Sequence, residues 1–171
     1  MDSSYKVIRQ IQECLSELHG LSDIPGVDNF VVANDDRNAL IVQENGDMAE
    51  ALVLLKNSVL ENVSAVQLPE GFDLNLFPDI SIVIEELSHF NLFCQRASED
   101  RELSALEMEV QSEVDKFALA LEWLEQQNLK NFENQVFDSI FEDHRWGSWL
   151  SKEERIRYED ANRIAKNFCR K

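Results

Sequence analysis

The first segment of the chain carries apolar residues at every third or fourth position, which predicts an amphipathic helix over residues 4–18. Gly20 is a typical helix stop, and Pro25-Gly26 predicts a turn shortly after it. The apolar positions of this helix are Val7, Ile8, Ile11, Leu15 and Leu18.

Three short apolar runs follow, at residues 30–33, 39–43 and 49–55, and they predict β-strands. The polar cluster at 34–38 separates the first two runs. The segment Glu44-Asn45-Gly46-Asp47 separates the last two and is a strong hairpin signal. We therefore expect a small antiparallel meander of three strands, although the third run is also compatible with a helix.

The rest of the chain is dominated by helical periodicity. A short helix is predicted over residues 56–66 and a loop over 69–78. The predicted longer helices span 79–97 and 105–127, a segment around 132–141, and the end of the chain from 151. Two Ser-x-x-Glu capping boxes mark helix starts, and they are formed by Ser104 with Glu107 and Ser151 with Glu154.

These elements predict an α+β fold: an N-terminal helix, the three-stranded meander, and a mostly helical C-terminal half of about four helices. The length of 171 residues fits a single domain over 1–171, with an α/β part at 1–78 and a helical part at 79–171. A chain of this length buries enough surface to fold without disulfides or a structural metal.

The formal net charge of −17 limits the classes of partner. Nucleic-acid binders need Lys and Arg for phosphate contacts, so we do not expect this class. Excess acidity favours a basic partner instead. The charge is uneven, because residues 152–171 carry seven basic against four acidic side chains.

The three cysteines are scattered and match neither a disulfide framework nor a zinc site. The start of the chain lacks the basic and apolar regions of a signal peptide, and no apolar stretch is long enough to span a bilayer. We therefore expect a cytoplasmic protein without a membrane partner. The cysteines are Cys14, Cys94 and Cys169.

Several polar residues fall on the apolar faces of the two long helices. Glu86 lies within the apolar face of the helix at 79–97, and His89 lies at its edge. Glu113 interrupts the apolar stripe of the helix at 105–127, and Glu109 flanks it one turn earlier. Glu85 is predicted to point towards solvent. Because a buried carboxylate alone is costly, each inward carboxylate needs a cation, a proton or a metal.

Two interpretations of these residues remain open. They form either an internal network of ion pairs and hydrogen bonds, or a divalent-metal or acid–base site with Glu86, His89, Glu109 and Glu113 as ligands. The Glu-x-x-His spacing of Glu86 and His89 resembles one used by diiron bundles, although it occurs here only once. The wider pattern also resembles the thermolysin-type zinc-peptidase arrangement, with Glu85 in place of the first His. No other cofactor is indicated.

The segment from His144 to Trp149 has the composition of a recognition surface, since Trp and Arg are frequent at binding hot spots. The alternative is a loop that folds over the core. The candidate contact residues are His144, Arg145, Trp146 and Trp149.

The sequence contains no nucleophile elbow, phosphate loop or dinucleotide fingerprint. We therefore expect a non-catalytic, acidic protein-interaction or regulatory domain with a protein partner. The alternative is a metal-binding protein or metal-dependent hydrolase that uses the Glu and His residues of the two helices.

Overall fold

The structure is a computed structural model that describes residues 3–45, 48–142 and 150–170. This part of the chain contains six α-helices and three β-strands, in an α+β arrangement as predicted. The helices are α1 (Ser3–His19), α2 (Asn57–Val63), α3 (Phe77–Ser98), α4 (Ala105–Gln126), α5 (Glu133–Phe141) and α6 (Lys152–Cys169). The strands are β1 (Val31–Asn34), β2 (Ala39–Asn45) and β3 (Met48–Lys56). None of the described helices is both long and apolar enough to cross a membrane.

The sheet is mixed, which corrects the predicted antiparallel meander. Its strand order is β1-β3-β2, so β3 lies in the centre, antiparallel to β2 and parallel to β1. Strand β3 pairs along both of its edges, and its continuous apolar run from Ala51 to Leu55 leaves neither of its faces polar in the middle of the strand. The third run is therefore a strand, and the alternative of a helix there is wrong.

The segment at 34–38 acts as a crossover and not as a hairpin turn. The Asn34 side chain donates a hydrogen bond to the carbonyl of Leu55 over 3.2 Å, and the N–H of Lys56 donates to Asn38 Oδ1 over 2.8 Å. Both bonds hold the segment against the end of β3. The chain thus passes over β3 and enters β2 on its far side.

The core lies between one face of the sheet and the helices. Helix α3 is its centre, because α1, α2, α4 and the sheet surround it. Consecutive residues from Glu86 to Asn91 are therefore all buried, polar ones included. The middle of α3 is packed against neighbouring elements on most of its sides, and this packing brings charged groups of α3 into contact with α4.

Helices α4, α5 and α6 form the second part of the core. Phe117 of α4 packs on Phe137 and Phe141 of α5, with ring centroids 5.6 and 5.9 Å apart. Helix α6 lies along α4, where Ala161 and Ala165 are fully buried. Small side chains allow the two helices to approach closely, which brings Arg157 of α6 to the polar residues of α4.

Candidate functional site: a buried polar layer and an apolar groove

A layer of charged side chains lies where α3, α4 and α6 meet. Helices α3 and α4 run antiparallel, as expected for neighbours joined by a short loop, so residues 85–89 face residues 109–116. Arg157 reaches the layer from α6. The side chains of the layer are Glu85, Glu86, His89, Glu109, Glu113, Lys116 and Arg157.

Lys116 is the central cation of one half of this layer. Its ammonium group contacts the Glu85 carboxylate directly and lies 3.1 Å from Glu113 Oε1. Burial by itself would lower the pKa of Lys116, but the two carboxylates outweigh it and the pKa rises. Burial likewise opposes ionisation of Glu85, but the charge of Lys116 outweighs it and lowers the pKa of Glu85. The ammonium group of Lys116 is thus shared between a carboxylate of α3 and a carboxylate of α4.

Glu86 and His89 form the other half and are poorly paired. Glu86 Oε2 lies 3.9 Å from His89 Nδ1, and His89 Nε2 lies 3.7 Å from Glu109 Oε2. Both distances are too long for hydrogen bonds. Glu86 Oε2 and His89 Nε2 have no hydrogen-bond partner in the described part of the chain, although both are buried. The geometry is therefore unfavourable to charge on Glu86.

The pKa values of the two carboxyls follow from this environment. Burial, reinforced by the neighbouring charges of Glu85 and Glu109, raises the pKa of Glu86 to about 8. Burial and Glu85 raise the pKa of Glu109 to about 7, against the lowering effect of Arg157 at 3.5 Å. Burial lowers the pKa of His89. At neutral pH, Glu86 is thus mainly protonated and His89 is neutral.

The structure brings the four predicted metal ligands into one layer but distributes them differently from a metal site. Glu113 turns to Lys116, while Glu86 and Glu109 lie beside opposite nitrogens of His89. Among the described residues, no group of three or more His, Cys, Asp or Glu side chains could hold a metal ion. The metal site stays a prediction, and the contacts that are present form an ion-pair network.

One prediction about this layer is wrong. Glu85, predicted to point towards solvent, keeps 28% of its side chain exposed, but its carboxylate is the closest partner of the buried Lys116. Lys116 and Arg157 were not recognised from the sequence. The signal that could have identified Lys116 is its position three residues after Glu113, on the same face of the helix.

A second polar cluster joins α1 to α3 and α4. Asp115 is almost fully buried, and its carboxylate accepts hydrogen bonds from Ser88 Oγ at 2.6 Å and from Gln111 Nε2 at 2.8 Å. His19 Nε2 lies 2.8 Å from the same carboxylate, which raises the pKa of His19. In a catalytic triad the serine donates to the histidine. Here Ser88 and His19 both contact the carboxylate, so the cluster ties helices together without activating a nucleophile.

Beside this cluster lies an apolar groove of about 450 Å³. Its floor is α4, and its walls are the end of α1 and the last turns of α6. Leu18 is 44% exposed and Phe168 is 64% exposed, although both are large apolar side chains. The apolar residues that line the groove are Leu18, Val110, Val114, Ala118, Ile164 and Phe168. This groove was not predicted from the sequence, because it combines residues of three distant helices.

The predicted aromatic contact surface of His144, Arg145, Trp146 and Trp149 lies outside the described residues. Comparison of the chain with protein-family models, with curated proteins and with solved structures finds no match.

Proposed function

We propose that this protein is a non-catalytic interaction domain whose groove binds an amphipathic helix of a partner protein. The exposed apolar groove between α1, α4 and α6 carries the proposal. Contiguous exposed apolar surface is unusual on soluble proteins and marks binding sites. The buried polar layer supports the same assignment, because Glu86 and His89 expose only 5% and 8% of their surface and are closed to a substrate.

The shape of the groove favours a helix as the occupant. Its floor follows α4 from Val110 to Ala118, a length of about 12 Å at 1.5 Å per residue. That length matches two turns of a partner helix. Such a helix would insert apolar residues at positions i, i+3 or i+4, and i+7, which is the common helix-in-groove mode.

The net charge of the chain favours a basic partner. A charge of −17 would attract a helix with Lys or Arg on its flanks. The α6 wall of the groove belongs to the basic segment 152–171, so this attraction comes from the rest of the chain.

Replacing Phe168 with Glu should abolish this binding, because it places a charge in the apolar wall of the groove. The probe is a fluorescent amphipathic Leu/Lys peptide, and we expect at least roughly tenfold weaker binding by polarisation than for the unchanged chain. Ile156→Glu is the matched control, since Ile156 is also an exposed apolar residue of α6 but lies outside the groove lining.

The same experiment separates groove binding from general charge attraction. A Leu/Glu peptide of the same pattern should not bind, and binding of the Leu/Lys peptide should weaken with salt. If Phe168→Glu and Ile156→Glu reduce binding equally, the peptide is held by net charge alone and the groove proposal is wrong.

We also place this interaction in the cytoplasm. The described cysteines are all free. Burial raises the pKa of both Cys94 and Cys169 to about 11, which keeps these thiols protonated and unreactive. This usage is typical of a reducing compartment.

A further inference from the structure

The face of the sheet that points away from the helices is also apolar. In β3, Val53 and Leu55 are buried against the core, so Leu52 and Leu54 lie on the opposite face. The strand register places Val32 of β1 beside Leu54, and Ile41 of β2 beside Leu52. The sheet therefore has two apolar faces, of which the helices cover one.

In the described part of the chain, this second face lies outside the core. Val32 is 42% exposed and Leu52 is 43% exposed. Ile41 and Leu54 are half-buried, and none of these four side chains belongs to the core cluster formed by the described residues. Antiparallel and mixed sheets with a solvated face normally carry polar residues there. An apolar face in that position indicates a surface that another element covers.

The charges on this face identify the kind of partner. Alternate residues of a strand lie on the same face, so Glu50 and Lys56 share the face of Leu52 and Leu54. Glu50 lies three positions before Val53, and Lys56 lies three positions after it. Neither makes an ion pair within the described part of the chain. Along β3 the face thus reads Glu50, Leu52, Leu54, Lys56. If a second β3 lies across this face and runs in the opposite direction, its Lys56 lies opposite Glu50 and its Glu50 lies opposite Lys56.

We propose that this sheet face binds the same face of a second copy of the chain. A two-fold axis in the plane of the interface, perpendicular to β3 at Val53, places Leu52 against Leu54 of the partner subunit. It also places Glu50 against Lys56 of the partner subunit. The packing is face to face, at the sheet separation of about 10 Å, and symmetric as in most homodimers. A basic helix does not match this face, because its two ends carry opposite charges.

The net charge of −17 on each copy opposes the dimer by repulsion, so the pairing of Glu50 with Lys56 across the interface has to favour it. Each Glu50–Lys56 pair occurs twice by symmetry. The apolar footprint covers only three short strands, and the association is therefore in the weak range for protein interfaces. The proposal is independent of the groove, which lies on α1, α4 and α6, so failure of one leaves the other standing.

A charge exchange tests the proposal with the full-length chain by sedimentation velocity, from low micromolar to submillimolar concentration. Glu50→Lys alone and Lys56→Glu alone should each lower the association constant by roughly tenfold or more, because two attractive pairs become repulsive. The double variant Glu50→Lys/Lys56→Glu should restore association to within about threefold of the unchanged chain.

Net charge alone gives a different result. Glu50→Lys reduces the acidity of the chain and Lys56→Glu increases it, so general repulsion would move their association constants in opposite directions. Leu52→Asn should also weaken the dimer, whereas Leu106→Asn, at an exposed apolar site on α4, should not. An unchanged chain that stays monomeric throughout, or a dimer whose association constant is insensitive to both single charge reversals, overturns the proposal.

Discussion

Replacing Glu86 with Gln should make the protein more stable at alkaline pH while leaving it almost unchanged near pH 5. The carboxyl of Glu86 has a pKa of about 8 in the folded chain, against 4.5 for a solvated glutamate. Between these values the folded chain keeps a proton that the unfolded chain releases. The unfolding free energy therefore falls as pH rises, by about 1.4 kcal/mol per pH unit, and levels off above the folded pKa.

Gln is neutral at every pH and keeps the shape of the protonated carboxyl, so the variant does not suffer this loss. We expect it to exceed the unchanged chain by about 3–5 kcal/mol near pH 8.5, measured by urea unfolding at several pH values. Titrating groups that do not interact with Glu86, such as His19, affect both proteins alike and largely cancel in the difference, whereas Glu109 is coupled to Glu86 and contributes to it.

Glu85→Gln is the matched control for this experiment, because it changes the adjacent residue in the same way. It removes a carboxylate that pairs with Lys116, so it should destabilise the protein at neutral pH and not stabilise it at alkaline pH. Parallel pH profiles for the Glu86→Gln variant and the unchanged chain would show that Glu86 is ionised or solvated in the folded protein.

The second large effect is expected for Lys116→Met, which should cost about 3–5 kcal/mol of unfolding free energy at neutral pH. The substitution keeps an unbranched apolar stem and removes the charged ammonium group. Glu85 and Glu113 then face each other without their shared cation in a largely buried site. Urea unfolding measures the loss. Lys130→Met is the control, since Lys130 also pairs with a glutamate but is mostly exposed, and we expect almost no loss there.

Neutralising the two carboxylates should reverse most of this loss. The triple variant Lys116→Met/Glu85→Gln/Glu113→Gln contains no unpaired charge, and we expect it to regain about 2 kcal/mol or more. If the triple variant is less stable than Lys116→Met alone, the carboxylates contribute through other contacts and these three groups are not the unit that stabilises α3 against α4.

The candidate site was partly predictable for a physical reason. Apolar periodicity places Glu86 and Glu113 on inward faces, and desolvation requires that each has a partner or a proton. The identity of that partner depends on which helices are neighbours. Glu113 turns to Lys116, Glu109 turns partly to Arg157 of α6, and Glu86 makes no ion pair with a Lys or Arg of the described residues. Spacing along α4 indicates Lys116 as the partner of Glu113, but it contains no information on the surroundings of Glu86 or on the contact between Glu109 and Arg157.

Sequence by itself determined the elements of this protein, because helix periodicity, capping boxes and strand alternation are local properties. Ser104 with Glu107 and Ser151 with Glu154 form capping boxes at the starts of α4 and α6, as predicted. Tertiary structure alone decided the pairing of β1 with β3 and the continuous burial of α3 from Glu86 to Asn91. It also decided which carboxylate in the polar layer is protonated, because that depends on desolvation and on charges from neighbouring helices. The sequence thus shows that Glu86 is a carboxylate on an apolar helix face. Only the packed helices show that this carboxyl group is buried without an ion pair to a Lys or Arg of the described residues and therefore keeps its proton.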